Sequence, residues 1–290
     1  MEKKNGILWI GGDKRQIVAE NCMHQLGWKT SVCMVESQSM AKGTVYTNWN
    51  LAARENRILV FPLPISKKGI YLNSSDEIPL AHILDCIQTQ SLVFGGKLSK
   101  DICSVLEQKE LRYFDYYNDE FQIRNALPTA EAAIGIALLE SPRVLLGARS
   151  LVVGYGKIGK VLSQKLQLFG VNVTVGARKL TDLALAKNCG HAALSIANGI
   201  PDYILDNFDF IFNTVPVRLF GRKEMSSIKA ETLFIELASF PYGIDIEMSK
   251  EYPFRTILAE SLPGKYSPIS AGEILAETVV QILEKEGISP

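Results

Sequence analysis

The chain has 290 residues, of which 47% are hydrophobic and 21% are charged, and its 31 Lys and Arg residues balance 31 Asp and Glu residues. This length suits two domains of ordinary size, and the composition is typical of soluble globular proteins. The balanced charge argues against nucleic acid or an anionic membrane as a partner. No apolar run approaches the length that spans a bilayer.

The cysteines are odd in number and form no C-x-x-C pair; they are Cys22, Cys33, Cys86, Cys103 and Cys189. This pattern is typical of reduced thiols and indicates neither a disulfide framework nor a metal site. The N-terminus leads into a predicted strand without the apolar core of a signal peptide. We therefore expect a cytoplasmic protein that binds no metal.

The first half of the chain alternates predicted strands and helices. Strands are predicted at residues 7–10, 31–35, 58–61, 92–94 and 112–116, with helices at about 15–26 and 99–108. Strands that alternate with helices predict a parallel sheet covered on both faces.

A polar loop, Gly11-Gly12-Asp13-Lys14-Arg15-Gln16, follows the first strand. It lacks the third glycine of a dinucleotide site, so we predict no coenzyme there. Arg15 can hold a substrate carboxylate, and Asp13 can act as an acid or base or orient Arg15. The equally weighted alternative is that Asp13 is only the N-cap of the following helix.

Pro128-Thr129-Ala130-Glu131 has the pattern of a helix start, and the helix is predicted to continue to about residue 139. It lies where a connection between two domains is expected. Thr129 either caps this helix or offers its hydroxyl to a cleft between the domains. Glu131 either complements the helix dipole or takes part in proton transfer.

The strongest motif begins with the β-branched run before Gly154 and continues as G-x-G-x-x-G into a predicted helix at 157–169 and a second strand at 171–175. This context is typical of dinucleotide binding, because the glycines permit a tight turn, close approach of a pyrophosphate and close helix packing. The alternative is a glycine-rich turn in an unrelated α/β domain. The candidate coenzyme ligands in the turn are Gly154, Tyr155, Gly156, Lys157, Ile158 and Gly159.

The second strand of this motif ends in Ala177-Arg178-Lys179, where sites that prefer NAD normally carry an acid. A guanidinium can pair with the 2′-phosphate of NADP, which a carboxylate would repel. NADP is therefore favoured over NAD. The alternative is that Arg178 and Lys179 only cap a solvated loop.

Strands predicted at 210–213, 233–237 and 256–258 complete the second sheet. Asn213-Thr214-Val215-Pro216 is expected beside the nicotinamide half of the coenzyme, although Asn213 can also be a simple turn residue. Ser239 is expected in the same cleft. Lys265, in a predicted turn at 262–265, is either a ligand of a substrate carboxylate or an exposed lysine.

These elements predict an α/β protein with two doubly wound, Rossmann-like domains that contain parallel sheets and are joined by two crossing helical segments. The final helix, at about 270–285, is expected to return to the N-terminal domain. The predicted substrate domain covers residues 1–128 with 269–290, the linker covers 129–149, and the NAD(P)-binding domain covers 150–268.

Seven short motifs, taken together and in this order, resemble the family of dipicolinate synthase A subunits over nearly the whole chain. Ala132-Ala133 and Phe240-Pro241-Tyr242-Gly243 depart from the glycine-richer pattern of that family. The motifs are Gly11-Gly12-Asp13-Lys14-Arg15-Gln16, Pro128-Thr129-Ala130-Glu131, Gly154-Tyr155-Gly156-Lys157-Ile158-Gly159, Val175-Gly176-Ala177-Arg178, Asn213-Thr214-Val215-Pro216, Leu237-Ala238-Ser239 and Leu262-Pro263-Gly264-Lys265.

The resemblance implies NADP-dependent oxidation and aromatisation of 4-hydroxy-tetrahydrodipicolinate to dipicolinate in the mother cell of a sporulating bacterium. It also implies a partner, the flavoprotein-like B subunit of dipicolinate synthase, and we expect a homo-oligomer. For this dicarboxylate, Arg15 and Lys265 are the first candidates to bind the carboxylates, with Arg218 a weaker one. Asp13 or Glu131 would accept a proton, and Thr129 and Ser239 would orient the substrate.

Two other functions compete with this interpretation. One is another two-domain NAD(P)-dependent dehydrogenase that acts on 2-hydroxy acids or amino acids. None of His24, His82 and His191 lies where such enzymes place their catalytic histidine. The other is a non-catalytic, nucleotide-sensing subunit that binds the coenzyme without hydride transfer.

Overall fold

The computed structural model describes residues 6–67, 69–74 and 76–290. The chain divides into two compact units, one formed by residues up to Asn125 together with Ser267–Pro290 and the other by Ala126–Tyr266. In its described part each unit contains a six-stranded parallel sheet. The predicted Rossmann-like fold with two domains is thereby confirmed. Residues 126–149, which include the predicted linker at 129–149, belong to the second unit.

The first unit has the strand order β3-β2-β1-β4-β7-β8, in which the direction of winding reverses between β1 and β4. A short antiparallel pair, β5 and β6, forms a separate ribbon. The strands are β1 (Ile7–Ile10), β2 (Thr30–Cys33), β3 (Thr44–Tyr46), β4 (Ile58–Val60), β5 (Ser66–Lys67), β6 (Tyr71–Leu72), β7 (Leu92–Gly95) and β8 (Arg112–Asp115). The helices are α1 (Lys14–Gln25), α2 (Trp49–Glu55), α3 (Leu80–Asp85) and α4 (Lys100–Gln108).

Alternate side chains of β1 enter two different hydrophobic clusters, as the two-residue period of a strand requires. Ile7 and Trp9 lie in one cluster, and Leu8 and Ile10 lie in the other. All four are fully buried. Because burial of one such side chain stabilises the fold by about 1.5–3 kcal/mol, the apolar run itself fixes β1 in the centre of the sheet.

The second unit has the strand order β11-β10-β9-β12-β13-β14, and its direction of winding reverses between β9 and β12. Its strands are β9 (Arg149–Val153), β10 (Asn172–Ala177), β11 (Ala192–Ser195), β12 (Phe210–Asn213), β13 (Leu233–Glu236) and β14 (Arg255–Leu258). The helices are α5 (Asp119–Glu140), which begins in the first unit, and α6 (Lys157–Leu168), α7 (Leu180–Asn188), α8 (Arg222–Ser226), α9 (Ile246–Ser249) and α10 (Leu262–Tyr266). In open parallel sheets of this kind, ligands bind at the carboxyl ends of the strands where the winding reverses.

The final helix, α11 (Pro268–Lys285), packs against α1 in the first unit. The approach is close at Gly272, where an added Cβ would lie 2.5 Å from Cβ of Val18. Arg124 forms an ion pair with Glu277, and Arg112 forms one with Glu286. The predicted return of the C-terminal helix to the N-terminal domain is confirmed.

The helix predicted to start at Pro128-Thr129 begins nine residues earlier, at Asp119, so that prediction is wrong. Asn118 is the cap, because its Oδ1 accepts a hydrogen bond of 2.9 Å from the backbone N–H of Phe121. Asp119 and Glu120 then complement the dipole in the first turn. Pro128 lies inside the helix, where the cap and the buried side chains outweigh its missing hydrogen bond.

No helix in the described residues is both long enough and apolar enough to cross a bilayer. The same residues contain no group of three or more His, Cys, Asp or Glu side chains that could hold a metal ion.

Candidate functional site

The turn between β9 and α6 needs two of its three glycines for steric reasons. Gly154 has a φ of +96°, and a Cβ there would lie 2.3 Å from Oγ1 of Thr214. A Cβ at Gly159 would lie 2.1 Å from the carbonyl oxygen of Gly154, so only glycine lets α6 approach β9 this closely. A Cβ at Gly156 would meet no atom within 4 Å. The space beside Gly156 is therefore open, as a site for a pyrophosphate requires.

A groove of about 230 Å³ lies at this turn, at the carboxyl ends of β9, β10 and β12. It contains nine of the thirteen candidate coenzyme ligands: Gly154, Tyr155, Gly156, Ala177, Arg178, Lys179, Thr214, Val215 and Pro216. Lys157, Ile158 and Gly159 do not line it, because they form the first turn of α6. The N-terminal N–H groups of α6 can bind the negative charge of a phosphate.

Two cations stand at the edge of this groove. Arg178 and Lys179 are exposed and follow directly after β10. Neither forms an ion pair with any residue that the structure describes. Both side chains are therefore available to an anionic ligand. Asp182, in the first turn of α7, lines the same groove and was not singled out from the sequence.

Asn213 does not face the groove, so its expected contact with the nicotinamide half is corrected. The residue is fully buried, and its Nδ2 donates hydrogen bonds of 2.7 and 2.9 Å to the two carboxylate oxygens of Glu236. Its Oδ1 accepts a hydrogen bond from the backbone N–H of Val215. The alternative of a strand-end turn residue describes this geometry better. Thr214 remains in the groove, but its hydroxyl donates to the carbonyl oxygen of Val153 at 2.8 Å.

Glu236, at the end of β13, organises the loop that carries Ser239. Its carboxylate accepts hydrogen bonds of 2.9 Å from the backbone N–H groups of Ala238 and Gly243, in addition to those from Asn213. Burial raises the pKa of Glu236, and these donors oppose that rise. One signal of this role is visible in the sequence, because Glu236 ends the otherwise apolar strand Leu233–Glu236.

Replacement of Glu236 by glutamine is expected to lower the free energy of unfolding by about 1–3 kcal/mol, since a buried NH₂ group would then face N–H donors. Urea denaturation followed by circular dichroism measures the change. Glu260→Gln is the matched control, because Glu260 is exposed and accepts from the hydroxyl of Tyr242. Equal stability of Glu236→Gln and the unaltered protein would contradict the assigned role.

In the first unit, the loop after β1 holds Asp13 and Arg15 as a pair. Oδ1 of Asp13 accepts from the backbone N–H of Arg15 at 3.0 Å and from its Nε at 2.8 Å, while Oδ2 accepts from Nη2 at 2.8 Å. Nη2 of Arg15 also donates to the carbonyl oxygen of Leu63 at 3.2 Å. Asp13 therefore caps α1 and orients Arg15 at the same time.

The ionisation of both partners follows from this contact. Burial acts to raise the pKa of Asp13, but the hydrogen bonds and charge of Arg15 outweigh it and place the pKa below the ordinary 3.8. Burial acts to lower the pKa of Arg15, and Asp13 reverses this effect. Asp13 is thus ionised at neutral pH and is a weak base, which favours the orienting role over proton transfer.

The other candidate catalytic residues lie in the second unit. Thr129 is 8% exposed on α5, whereas Glu131, two residues later and on a different face, is exposed and pairs with Lys165 at 3.0 Å. Ser239 is exposed in the loop after β13. Lys265 is exposed on α10, a short helix where a turn was predicted.

Arg218, the weaker candidate for a substrate carboxylate, forms an ion pair of 3.7 Å with Asp245. Thr129 has little exposed surface, and its role in orienting the substrate stays a prediction. Ser239 and Lys265 are exposed, as side chains that bind a substrate need to be.

Comparison with known proteins identifies relatives of both halves of the chain. Residues 6–117 match the family described as the N-terminal domain of the dipicolinate synthase A subunit. The A subunit of dipicolinate synthase from Bacillus subtilis (strain 168) is 28% identical over 214 residues, which are 72% of this chain and 71% of that protein.

Two crystal structures share the fold at 24% sequence identity and a TM-score of 0.83, and each covers 98% of this chain. One is the dipicolinate synthase A subunit from Bacillus halodurans, of which 99% is covered, and the other is the A chain of dipicolinate synthase from Bacillus subtilis, of which 97% is covered. These matches confirm the resemblance to the family of dipicolinate synthase A subunits that the sequence motifs indicated.

Proposed function

We propose that this chain is an NADP-dependent oxidoreductase that converts 4-hydroxy-tetrahydrodipicolinate to dipicolinate during sporulation. The observation that carries the proposal is the open groove beside Gly156, with Arg178 and Lys179 at its edge and unpaired among the described residues. The name of the curated relative supplies the substrate class.

The residues of the second unit fit a dinucleotide. The N-terminus of α6 would bind the pyrophosphate, and the open space at Gly156 would let it approach the backbone. Arg178 would pair with the 2′-phosphate that distinguishes NADP from NAD. When bound, the oxidised nicotinamide accepts a hydride. NAD remains the less favoured coenzyme.

The residues of the first unit fit a carboxylate. Arg15 would bind one carboxylate of the substrate, and Asp13 would hold the guanidinium in place. Lys265 is proposed for the second carboxylate and Ser239 for a hydrogen bond to the substrate. The reaction balances as loss of one water, transfer of one hydride to the coenzyme and release of one proton, which together make the ring aromatic.

A second polypeptide is part of the proposal, because the relatives are named as the A subunit or the A chain of dipicolinate synthase. We propose the flavoprotein-like B subunit of that enzyme as the partner, and a homo-oligomer of this chain in the cytoplasm of the mother cell.

The deciding experiment combines the purified chain, oxidised NADP, 4-hydroxy-tetrahydrodipicolinate and the B subunit. Absorbance of reduced coenzyme and of dipicolinate is followed together, and the two are expected to accumulate in equal amounts. Coenzyme binding without hydride transfer would favour a nucleotide-sensing subunit. Coenzyme reduction by 2-hydroxy acids or amino acids, but not by the ring diacid, would favour another dehydrogenase.

Replacement of Arg15 by alanine is expected to raise the KM for the diacid roughly 10- to 100-fold, the loss of one charged hydrogen-bonding contact. Steady-state kinetics at saturating NADP measures this. Arg112→Ala is the control, because Arg112 is an exposed arginine of the same unit paired with Glu286. An unaltered KM would remove Arg15 from the carboxylate role.

A further inference from the structure

Gln16 is a buried amide whose hydrogen-bonding groups have no partner among the described residues. It ends the loop motif that starts at Gly11 and lies in the first turn of α1, with only 2% of its surface exposed. Both Nε2 and Oε1 are buried and make no hydrogen bond there. A buried amide in this state is costly to the fold, so its position indicates a ligand that completes it.

The Gln16 side chain packs closely against the backbone of the loop. Gly12 has a φ of +89°, and a Cβ there would lie 2.7 Å from Cγ of Gln16 and 2.9 Å from Cβ of Pro62. The glycine therefore leaves the room that the glutamine side chain occupies. Cγ of Gln16 is thus packed closely against the backbone of Gly12.

The amide lines a narrow cavity of about 10 Å³ in the first unit, which has room for one oxygen-sized atom. Its polar lining groups are Asp13, Arg15, Gln16 and Tyr116. Both carboxylate oxygens of Asp13 accept from Arg15, and the hydroxyl of Tyr116 donates to the carbonyl oxygen of Phe61 at 2.8 Å. The remaining lining is apolar: Pro62, Leu63, Phe121, Ala271 and Leu275.

We propose that Gln16 is a specificity-determining residue that donates from Nε2 to one carboxylate oxygen of the substrate. The neighbouring Arg15 supplies the positive charge, since its bonds to Asp13 come from Nε and Nη2 and do not engage Nη1. An amide alone can bind many kinds of polar group, whereas an amide beside a guanidinium favours a planar anion such as a carboxylate.

This inference rests on the proposed function, which names the diacid. It adds Gln16 as a neutral hydrogen-bond donor beside Arg15, and it predicts that both residues bind the same carboxylate. Loss of Gln16 should therefore affect the diacid and leave the coenzyme unaffected.

The test is Gln16→Met, which keeps the length of the side chain and removes the amide. The KM for 4-hydroxy-tetrahydrodipicolinate is expected to rise at least about tenfold, with the KM for NADP unchanged. The melting temperature is expected to equal or exceed that of the unaltered protein, because the unpaired amide is gone. The stabilisation that dipicolinate gives in a thermal shift assay should fall in parallel. If the role of Gln16 were purely structural, Gln16→Met would lower the melting temperature and leave the KM unaltered.

Gln16→Glu decides the matter if the methionine variant does not fold, because it adds a negative charge beside the substrate carboxylate and should raise the KM further. Gln25→Met is the control, an exposed glutamine on the same helix. A KM within twofold of the unaltered value in a folded Gln16 variant would overturn the inference. If the unaltered protein makes no dipicolinate together with the B subunit, the proposed function fails, and the thermal shift with dipicolinate then tests Gln16 separately. A shift in the unaltered protein that the Gln16 variants lose would support the role of Gln16. The absence of any shift in the unaltered protein would overturn that role.

Discussion

Replacement of Gly156 by alanine is expected to weaken NADP binding on the order of 10- to 100-fold while the fold remains intact. Gly156 has a φ of −80°, which any residue adopts, and an added Cβ would meet no protein atom within 4 Å. The methyl group would instead occupy the space into which a pyrophosphate must fit. Calorimetric titration with oxidised NADP measures the affinity, and thermal unfolding measures the stability.

Two other glycines make this experiment selective. Gly135→Ala is the matched control, because Gly135 lies on α5 with open space around it and outside the groove, so coenzyme affinity should not change. Gly159→Ala should instead destabilise the fold by about 1–3 kcal/mol, since its Cβ would overlap the backbone of Gly154. Normal NADP affinity in Gly156→Ala would mean that this motif is a structural turn and not a coenzyme site.

The fold of both units could be predicted because its signals are local. The central strands β1 and β9 are short apolar runs that end in glycine turns. An apolar run of this kind is enough to predict a buried strand of a parallel sheet. The edge strands β3 and β11 were not predicted. β3 has only three residues, and two of the four residues of β11 are alanines, which are depleted in strands, so neither segment gives a strong strand signal.

The features that sequence reasoning missed depend on partners distant in the chain. Asn213 looked like a groove residue, but its amide is bound to Glu236, twenty-three residues away. The residues that neighbour Gln16 in the sequence do not indicate that its amide lacks a partner, because the cavity is lined by Tyr116 and Leu275, which belong to other elements. Only the three-dimensional fold brings such groups together.

The start of α5 was missed for a different reason. Asn118-Asp119-Glu120 is itself a helix-start pattern, a cap followed by acids, but Pro128 offered a second one in the same helix. Since proline is common at the first turn and rare inside helices, the later pattern seemed the stronger. The expected roles of Thr129 as a cap and of Glu131 as a first-turn acid both failed with it.

Removal of the guanidinium at Arg178 is expected to lower the affinity for NADP and to leave the affinity for NAD almost unchanged. In Arg178→Ala, NADP binding should weaken roughly 10- to 100-fold, as for other charged contacts to phosphate, while NAD binding should change less than about threefold. Arg178 is exposed and forms no ion pair with the described residues, so its loss should leave stability unaltered. Lys187→Ala, on the exposed part of α7, is the control.

Asp182 offers an alternative determinant of coenzyme preference, because an acid in the same groove can bind the ribose 2′-hydroxyl of NAD. Variants of Asp182 therefore complete the test. If the cations set the preference, Asp182→Asn should leave the affinities for both NADP and NAD within about threefold of the unaltered values. If Asp182 sets it, Arg178→Ala should weaken both coenzymes equally or neither, and Asp182→Asn should weaken NAD. The ratio of the two dissociation constants across these variants therefore identifies the coenzyme from binding alone, without depending on turnover or on the B subunit.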